Sequence, residues 1–261
     1  MTSLIYDFSD EQLKDFLSGV QTKGWGLLHD QDLSEDRMAS LFRRIGVCET
    51  PDLFMNHKKN PEIFEVSDKK DSNGNKTGMF GGGELGWHSN GNSRHLNDKI
   101  LIGLYCVEGN ENTTLSMCNT TDPFLSLSDE EREYWKTIKI KIKFQNHTMY
   151  SLEEDDPELE FMNKNRGSIR ELVGIHPHNH QPYFYFPYHF IVGAWEGKKK
   201  INHEEMIERL KLIIFKSKYQ QHHVFQHGDL MLMDQFTSLH RRTPVGGDRL
   251  LWRTACDYSN T

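Results

Sequence analysis

The chain has 261 residues, 36% hydrophobic and 26% charged, with 31 Lys and Arg against 38 Asp and Glu, for a formal charge of -7. That much apolar mass supports a sizeable core, and the whole chain, 1–261, reads as a single domain. The mildly acidic balance lacks the electrostatic footprint of a nucleic-acid binder.

Ser9 followed by Asp10 and Glu11 predicts a helix start, because the cap oxygen and early acids oppose the helix dipole. Leu13, Phe16, Leu17 and Val20 follow at helical spacing, and Gly24 closes the segment. Residues 24–29 read as a short buried strand, and Ser34-Glu35-Asp36 opens a second helix through Met38, Leu41 and Phe42. Residues 67–83 are polar and Gly-rich, the pattern of a loop near a site mouth. From about residue 100 the chain is mostly strand-like, with β-rich runs at 100–107, 114–119, 138–144, 182–187, 229–236 and 250–258. The 138–144 run alternates Ile with Lys, one face buried and one wet. A Leu- and Ile-rich helix over 203–217 interrupts the strands, and His222 and His223 are placed at its C-terminal end. Many short strands with few helices predict a mainly β fold with flanking helices, a double-stranded β-helix or jelly roll.

No stretch approaches the roughly 18 apolar residues that span a bilayer. The N-terminal residues lack a basic flank before an apolar core, so a cytoplasmic location is expected. Cys48, Cys106, Cys118 and Cys256 are widely spaced and form no CxxC pair, the pattern of reduced thiols.

Of the 14 histidines, His176, His178 and His180 lie beside Pro177 and Pro182 and read as an exposed turn. His88, in ELGWHSNGN, and His240, in GDLMLMDQFTSLHRRTP, differ in kind. They precede Arg249 and Arg253, four residues apart on a further strand.

These segments, W-H-x, then G-D-L-x-x-x-D-x-x-x-x-x-H, then R-x-x-x-R, resemble the taurine/2,4-D dioxygenase family of Fe(II)/2-oxoglutarate oxygenases. The resemblance runs almost end to end, including the opening GWGLLHDQDLSEDRMASLFRRIG and the central ELVGIHPHNHQPYFYFP. It implies Fe(II), 2-oxoglutarate and O2 as cofactors, with oxidation of a small-molecule substrate and release of succinate and CO2. A metal held on one face by two imidazoles and a carboxylate leaves three positions open for cosubstrate and O2. By the family pattern His88 and His240 are metal ligands. Arg249 takes the distal carboxylate of 2-oxoglutarate bidentately, assisted by Thr114 or the adjacent Thr113. Arg253, on the same strand face, is the expected contact for an anionic substrate group, or a brace for the cosubstrate. Trp87 and Glu84, just before His88, are the expected walls of the substrate pocket.

The departure from the pattern is Asn90, where the family has Asp. An amide oxygen can coordinate but carries no charge, so iron affinity should fall. Asn90 either ligates as it is, becomes Asp by deamidation at the Asn90-Gly91 step, or leaves the ligand role to Glu84. A halogenase-like centre, a non-catalytic 2-oxoglutarate- or metabolite-binding protein, and a peptide- or nucleotide-modifying enzyme stay open as alternatives. Gln235-Phe236 stands where the family often has Asn-Arg. The polar 67–83 segment points to a polar or zwitterionic substrate. Whether the chain forms a homo-oligomer is left open.

Overall fold

The computed structural model describes residues 4–50, 57, 59–67, 69–74, 77–78, 83–90, 100–109, 111–143, 169–245 and 248–261. α1 (Asp10–Lys23) starts at a capping box in which Ser9 and Gln12 each satisfy the other's backbone N–H, and ends at Gly24 with φ 94°, a left-handed conformation that glycine adopts at no steric cost. β1 (Trp25–Leu28) and α2 (Glu35–Ile45), capped by Ser34, follow as the sequence predicts.

The remaining strands are β2 (Phe64–Val66), β3 (Leu85–His88), β4 (Leu101–Glu108), β5 (Thr114–Asn119), β6 (Ile138–Ile142), β7 (Ile169–Glu171), β8 (Val173–Ile175), β9 (Pro182–Phe184), β10 (Ile191–Glu196), β11 (Lys199–Ile201), β12 (Gln220–Val224), β13 (Leu230–Asp234), β14 (Ser238–Arg242) and β15 (Leu250–Cys256). Among the described residues three further helices are α3 (Thr121–Leu125), α4 (Asp129–Lys136) and α5 (His203–Ile214). A five-stranded sheet in the order β1-β13-β4-β15-β2 faces a four-stranded sheet in the order β12-β5-β14-β3. Every named pairing in both is antiparallel, giving the expected jelly roll with flanking helices. A second four-stranded sheet, β11-β10-β6-β7, and the β8-β9 hairpin lie beside it.

Strand alternation sorts the core into three layers. Inward residues of the two facing sheets, among them Ile102, Leu104, Leu115, Met117, Met231, Met233 and Leu251, form the layer between them. Leu101, Tyr105, Leu230, Leu232 and Cys256 leave by the outer face of the larger sheet and pack on α1 and α2. There the ring of Phe42 lies against Gly103, where an added Cβ would overlap the ring. Cys118 and Leu239 leave the smaller sheet on its far side and join Trp135, Ile138, Ile140 and Leu210 in the third layer. β6 alternates buried and exposed along its whole length, as its Ile/Lys pattern requires.

Three expectations change. The helix predicted to 217 ends at Ile214, and His222 and His223 lie in strand β12 rather than at a helix end. The His222 ring nitrogen bonds Ser116 on the neighbouring strand, and that of His223 bonds Asp229 in the turn that follows. The 176–180 segment is a turn, but His176 is fully buried rather than exposed. It is held there because its Nε2 meets Asp234 Oδ2 at 3.1 Å, while its Nδ1 accepts the backbone N–H groups of His178 and Asn179. Asp234 also accepts from Tyr258 Oη, from Thr237 Oγ1 and from the backbone of Phe236 and Thr237. Burial, followed by the Asp234 charge, pushes the Tyr258 phenol well above its usual range, so it remains a donor. This buried carboxylate ties the 176–180 turn, the β13 end and the C-terminal segment into one polar knot. All four cysteines are free thiols. Among the described residues no helix is long and apolar enough to cross a membrane.

Candidate metal centre and anion cavity

His88 and His240 are directly opposite each other across the antiparallel β3–β14 pair. Their ring centroids are 4.2 Å apart, and both residues are more than nine-tenths buried. The pairing shifts register between His240 and Arg242, which faces Leu85. β3 therefore carries one extra residue, a β-bulge. Through it Leu85 and His88, three apart, both reach the cavity, while Trp87 turns out to the third core layer.

The bulge also supplies an acceptor. His88 Nδ1 donates to the carbonyl of Gly86 at 2.7 Å, which leaves the lone pair on Nε2. Burial, with His189, Arg242 and Arg253 adding to it, lowers the His88 pKa to about 4. Burial and His88 push His240 well below its usual value. Both rings are thus neutral near pH 7, the form that can ligate a metal. Asn90 Nδ2 stands 3.3 Å from His240 Nε2, and the Asn90 backbone N–H donates to Gln235 Oε1 at 2.6 Å. His240 Nδ1 is buried with no hydrogen-bond partner among the described residues.

Two neutral imidazoles with an amide beside them fit a divalent first-row metal such as Fe(II), with a neutral oxygen in place of the usual carboxylate. Among the described residues no third His, Cys, Asp or Glu joins them. Glu84 is exposed and does not line the cavity, so its expected places as pocket wall and as substitute ligand are not supported.

The cavity holds about 530 Å³ including its open mouth, and its walls are mostly apolar: Leu85, Ile102, Leu104, Leu115, Phe225 and Leu251 among them. Into it face His88, Asn90 and His240 together with Arg242, Arg249 and Arg253, and no acidic side chain among the described residues lines it. Arg249, Leu251 and Arg253 share one parity of the β15 segment. Arg249 is 3% exposed. Arg253 lies over the ring of Phe64 at 4.8 Å. Arg242, two residues beyond His240 on the same strand face, was not anticipated. The signal was available, because a strand carrying His240 inward carries residue 242 inward too.

Two expected residues are displaced. Trp87 is core rather than pocket wall, stacked on Phe215 at 5.2 Å with Arg241 over its ring. Thr114 has the outward parity of Ser116 and Cys118, its N–H bonded to Thr243 Oγ1, and it does not line the cavity. Thr113 shares the inward parity of Leu115. It is 1% exposed, with an Oγ1 that has no partner among the described residues. Thr113 does not line the cavity either; parity alone puts it on the inward side of the strand. Of residues 67–83, those at 68, 75–76 and 79–82 lie outside the described residues, so the expected loop is seen only in part.

Comparison with known proteins agrees with this fold. Among solved structures, a taurine dioxygenase from Burkholderia xenovorans superposes with a TM-score of 0.73 at 14% identity, covering 96% of this chain and 81% of that one. AAD-2 in complex with Mn(II) and N-oxalylglycine gives 0.75 at 15%, covering 98% and 91%. The PvcB protein from Pseudomonas aeruginosa gives 0.66 at 14%, covering 98% and 82%. These likenesses carry the fold. No curated protein matches the sequence. The profile of the taurine catabolism dioxygenase TauD, TfdA family matches residues 3–255, and the chain belongs to that family of oxygenases.

Proposed function

We propose that this protein is a cytoplasmic, single-domain Fe(II)/2-oxoglutarate-dependent oxygenase that hydroxylates a small anionic or zwitterionic metabolite. The observation that carries the reading is the joining, in one mostly apolar cavity, of two facing neutral histidines with three arginines. A metal with 2-oxoglutarate needs both features, since the cosubstrate is a dianion with one end at the metal and the other at a cation.

In this reading His88 and His240 would hold the iron, and the Asn90 amide, turned to present its oxygen, would be the third protein donor. The chemistry supplied by bound iron is the oxidative decarboxylation of 2-oxoglutarate by O2 to succinate and CO2, coupled to insertion of one oxygen atom into a substrate C–H bond. The Arg249 guanidinium receives the distal carboxylate of 2-oxoglutarate as a planar fork, with the Thr113 hydroxyl as the neighbouring donor. Arg253 and Arg242, the latter also donating to the Gly83 carbonyl, face the anionic group of the substrate. Leu85, Leu104, Leu115 and Leu251 keep bulk water from the reacting centre, which strengthens every charge interaction inside it.

The test is an anaerobic titration of metal-stripped protein with Fe(II) and 2-oxoglutarate, watching for the visible iron-to-cosubstrate charge-transfer band. A saturable band supports the reading; protein that never develops one overturns it. A second reading, a protein that binds 2-oxoglutarate or another dianion without turnover, is favoured by one observation, the neutral Asn90. It predicts cosubstrate binding without succinate release. A halide-binding centre is not favoured, because the Asn90 amide already stands beside His240.

A further inference from the structure

We propose that Gln235 is the positioning residue of this metal centre. It pins the backbone at Asn90 so that a neutral amide, which charge does not draw onto a metal, is held ready beside His88 and His240. The inference rests on reading the site as a metal centre.

Gln235 is 7% exposed and fixed at three points. Its backbone N–H donates to Ile100 O at 2.9 Å, its Nε2 donates to Met233 O at 3.3 Å, and its Oε1 accepts the Asn90 N–H at 2.6 Å. The residue before it, Asp234, is the centre of the buried knot that holds His176, Thr237 and Tyr258. The rigidity of the knot therefore reaches Asn90 through one side chain, across 145 positions of sequence.

A carboxylate at position 90 would be drawn to a dication by charge and could tolerate a loose backbone. An amide oxygen has only a dipole to offer, so its contribution depends on being placed beforehand. The pinned backbone serves two arrangements. With the Asn90 Nδ2 toward His240 Nε2, as here, the amide N–H caps the imidazole lone pair. Half a turn about the last side-chain bond exchanges nitrogen for oxygen, with no change in the backbone. Outer partners of this kind typically change metal affinity by roughly 10–100-fold when removed.

The experiment compares the wild-type protein with Gln235→Ala and with Gln235→Met, which keeps the side-chain volume while losing the acceptor. Each is also made in an Asn90→Ala background. Mn(II) affinity is read by loss of the free-ion EPR signal, coordination by the visible bands of the Co(II)-loaded protein, and folding by thermal melting. The expected result is a loss of Mn(II) affinity of roughly 10–100-fold in both Gln235 variants. Their Co(II) bands should move to those of Asn90→Ala, melting should change little for Gln235→Met, and Asn90→Ala should lose nothing further when Gln235 is replaced. The inference is overturned if Gln235→Met binds Mn(II) as the wild type does, or if it weakens the Asn90→Ala protein by the same factor. Wild-type protein that binds no Mn(II) at all overturns the metal-centre reading itself.

Discussion

Replacing Asn90 by Asp restores the charge that the family places beside its two histidines, and its effect can be worked from the geometry. Two unit charges about 4 Å apart at an effective dielectric of 20 are worth about 4 kcal/mol, and a dication about doubles that. Burying the carboxylate costs several kcal/mol. A net gain on the order of 2 kcal/mol remains, about 30-fold in metal Kd. Without metal that gain is absent. The new carboxylate stands where the amide now meets His240 at 3.3 Å, with Arg242, Arg249 and Arg253 in the same cavity to offset its burial, so Mn(II) raises the melting temperature of the variant more than that of the wild type. Isothermal titration with Mn(II), in the presence of N-oxalylglycine, measures the first effect, and melting with and without Mn(II) the second. A folded Asn90→Asp protein that binds Mn(II) no more tightly than the wild type refutes the reasoning, because residue 90 would then lie outside the metal's reach.

Arg249→Met removes the charge-assisted pair with the cosubstrate, worth roughly 1.5–3 kcal/mol, and should weaken N-oxalylglycine binding by about 10–150-fold while Mn(II) alone binds as before; an equal loss of both would place Arg249 elsewhere. Trp87→Ala opens the third core layer and should cost about 3–5 kcal/mol of stability, read by chemical denaturation, whereas Trp87→Phe should leave cosubstrate affinity unchanged. Burial pushes the Cys106 and Cys118 thiols up to about 12. At pH 8 roughly one such thiol in 10⁴ is ionised, so iodoacetamide should leave both unmodified in native protein and alkylate both in denaturant, by mass spectrometry; rapid native labelling of Cys118 would contradict the packing.

The jelly roll and the paired histidines were legible because their signals are local: strand runs, caps at Ser9 and Ser34, and His88 and His240 within a family pattern. What escaped lies in tertiary parity. Trp87 and His88 are neighbours, and only the β3 bulge decides which enters the cavity, so Trp87 read as a pocket wall. Thr113 and Thr114 were separable only once Leu115 was known to face inward. His176 read as exposed because its partner, Asp234, is 58 positions away. Arg242 is legible by parity, since a strand that carries His240 inward carries residue 242 inward too. The displaced Trp87 and Glu84 share a cause: nearness in sequence to His88 does not fix which way a side chain points.

The extra residue in β3 has a consequence for how the site tolerates mutation. The tautomer of His88 is set by the carbonyl of Gly86, a main-chain atom that every amino acid possesses. No substitution at position 86 can delete that acceptor; the only penalty is steric, from His189, whose ring nitrogen would lie 3.2 Å from an added Cβ. Residue 90, in contrast, is held through the side chain of Gln235, which a single codon change can abolish. One half of the centre is fixed through a backbone carbonyl. The other half is written in side chains, and it is there that this chain has departed from its family.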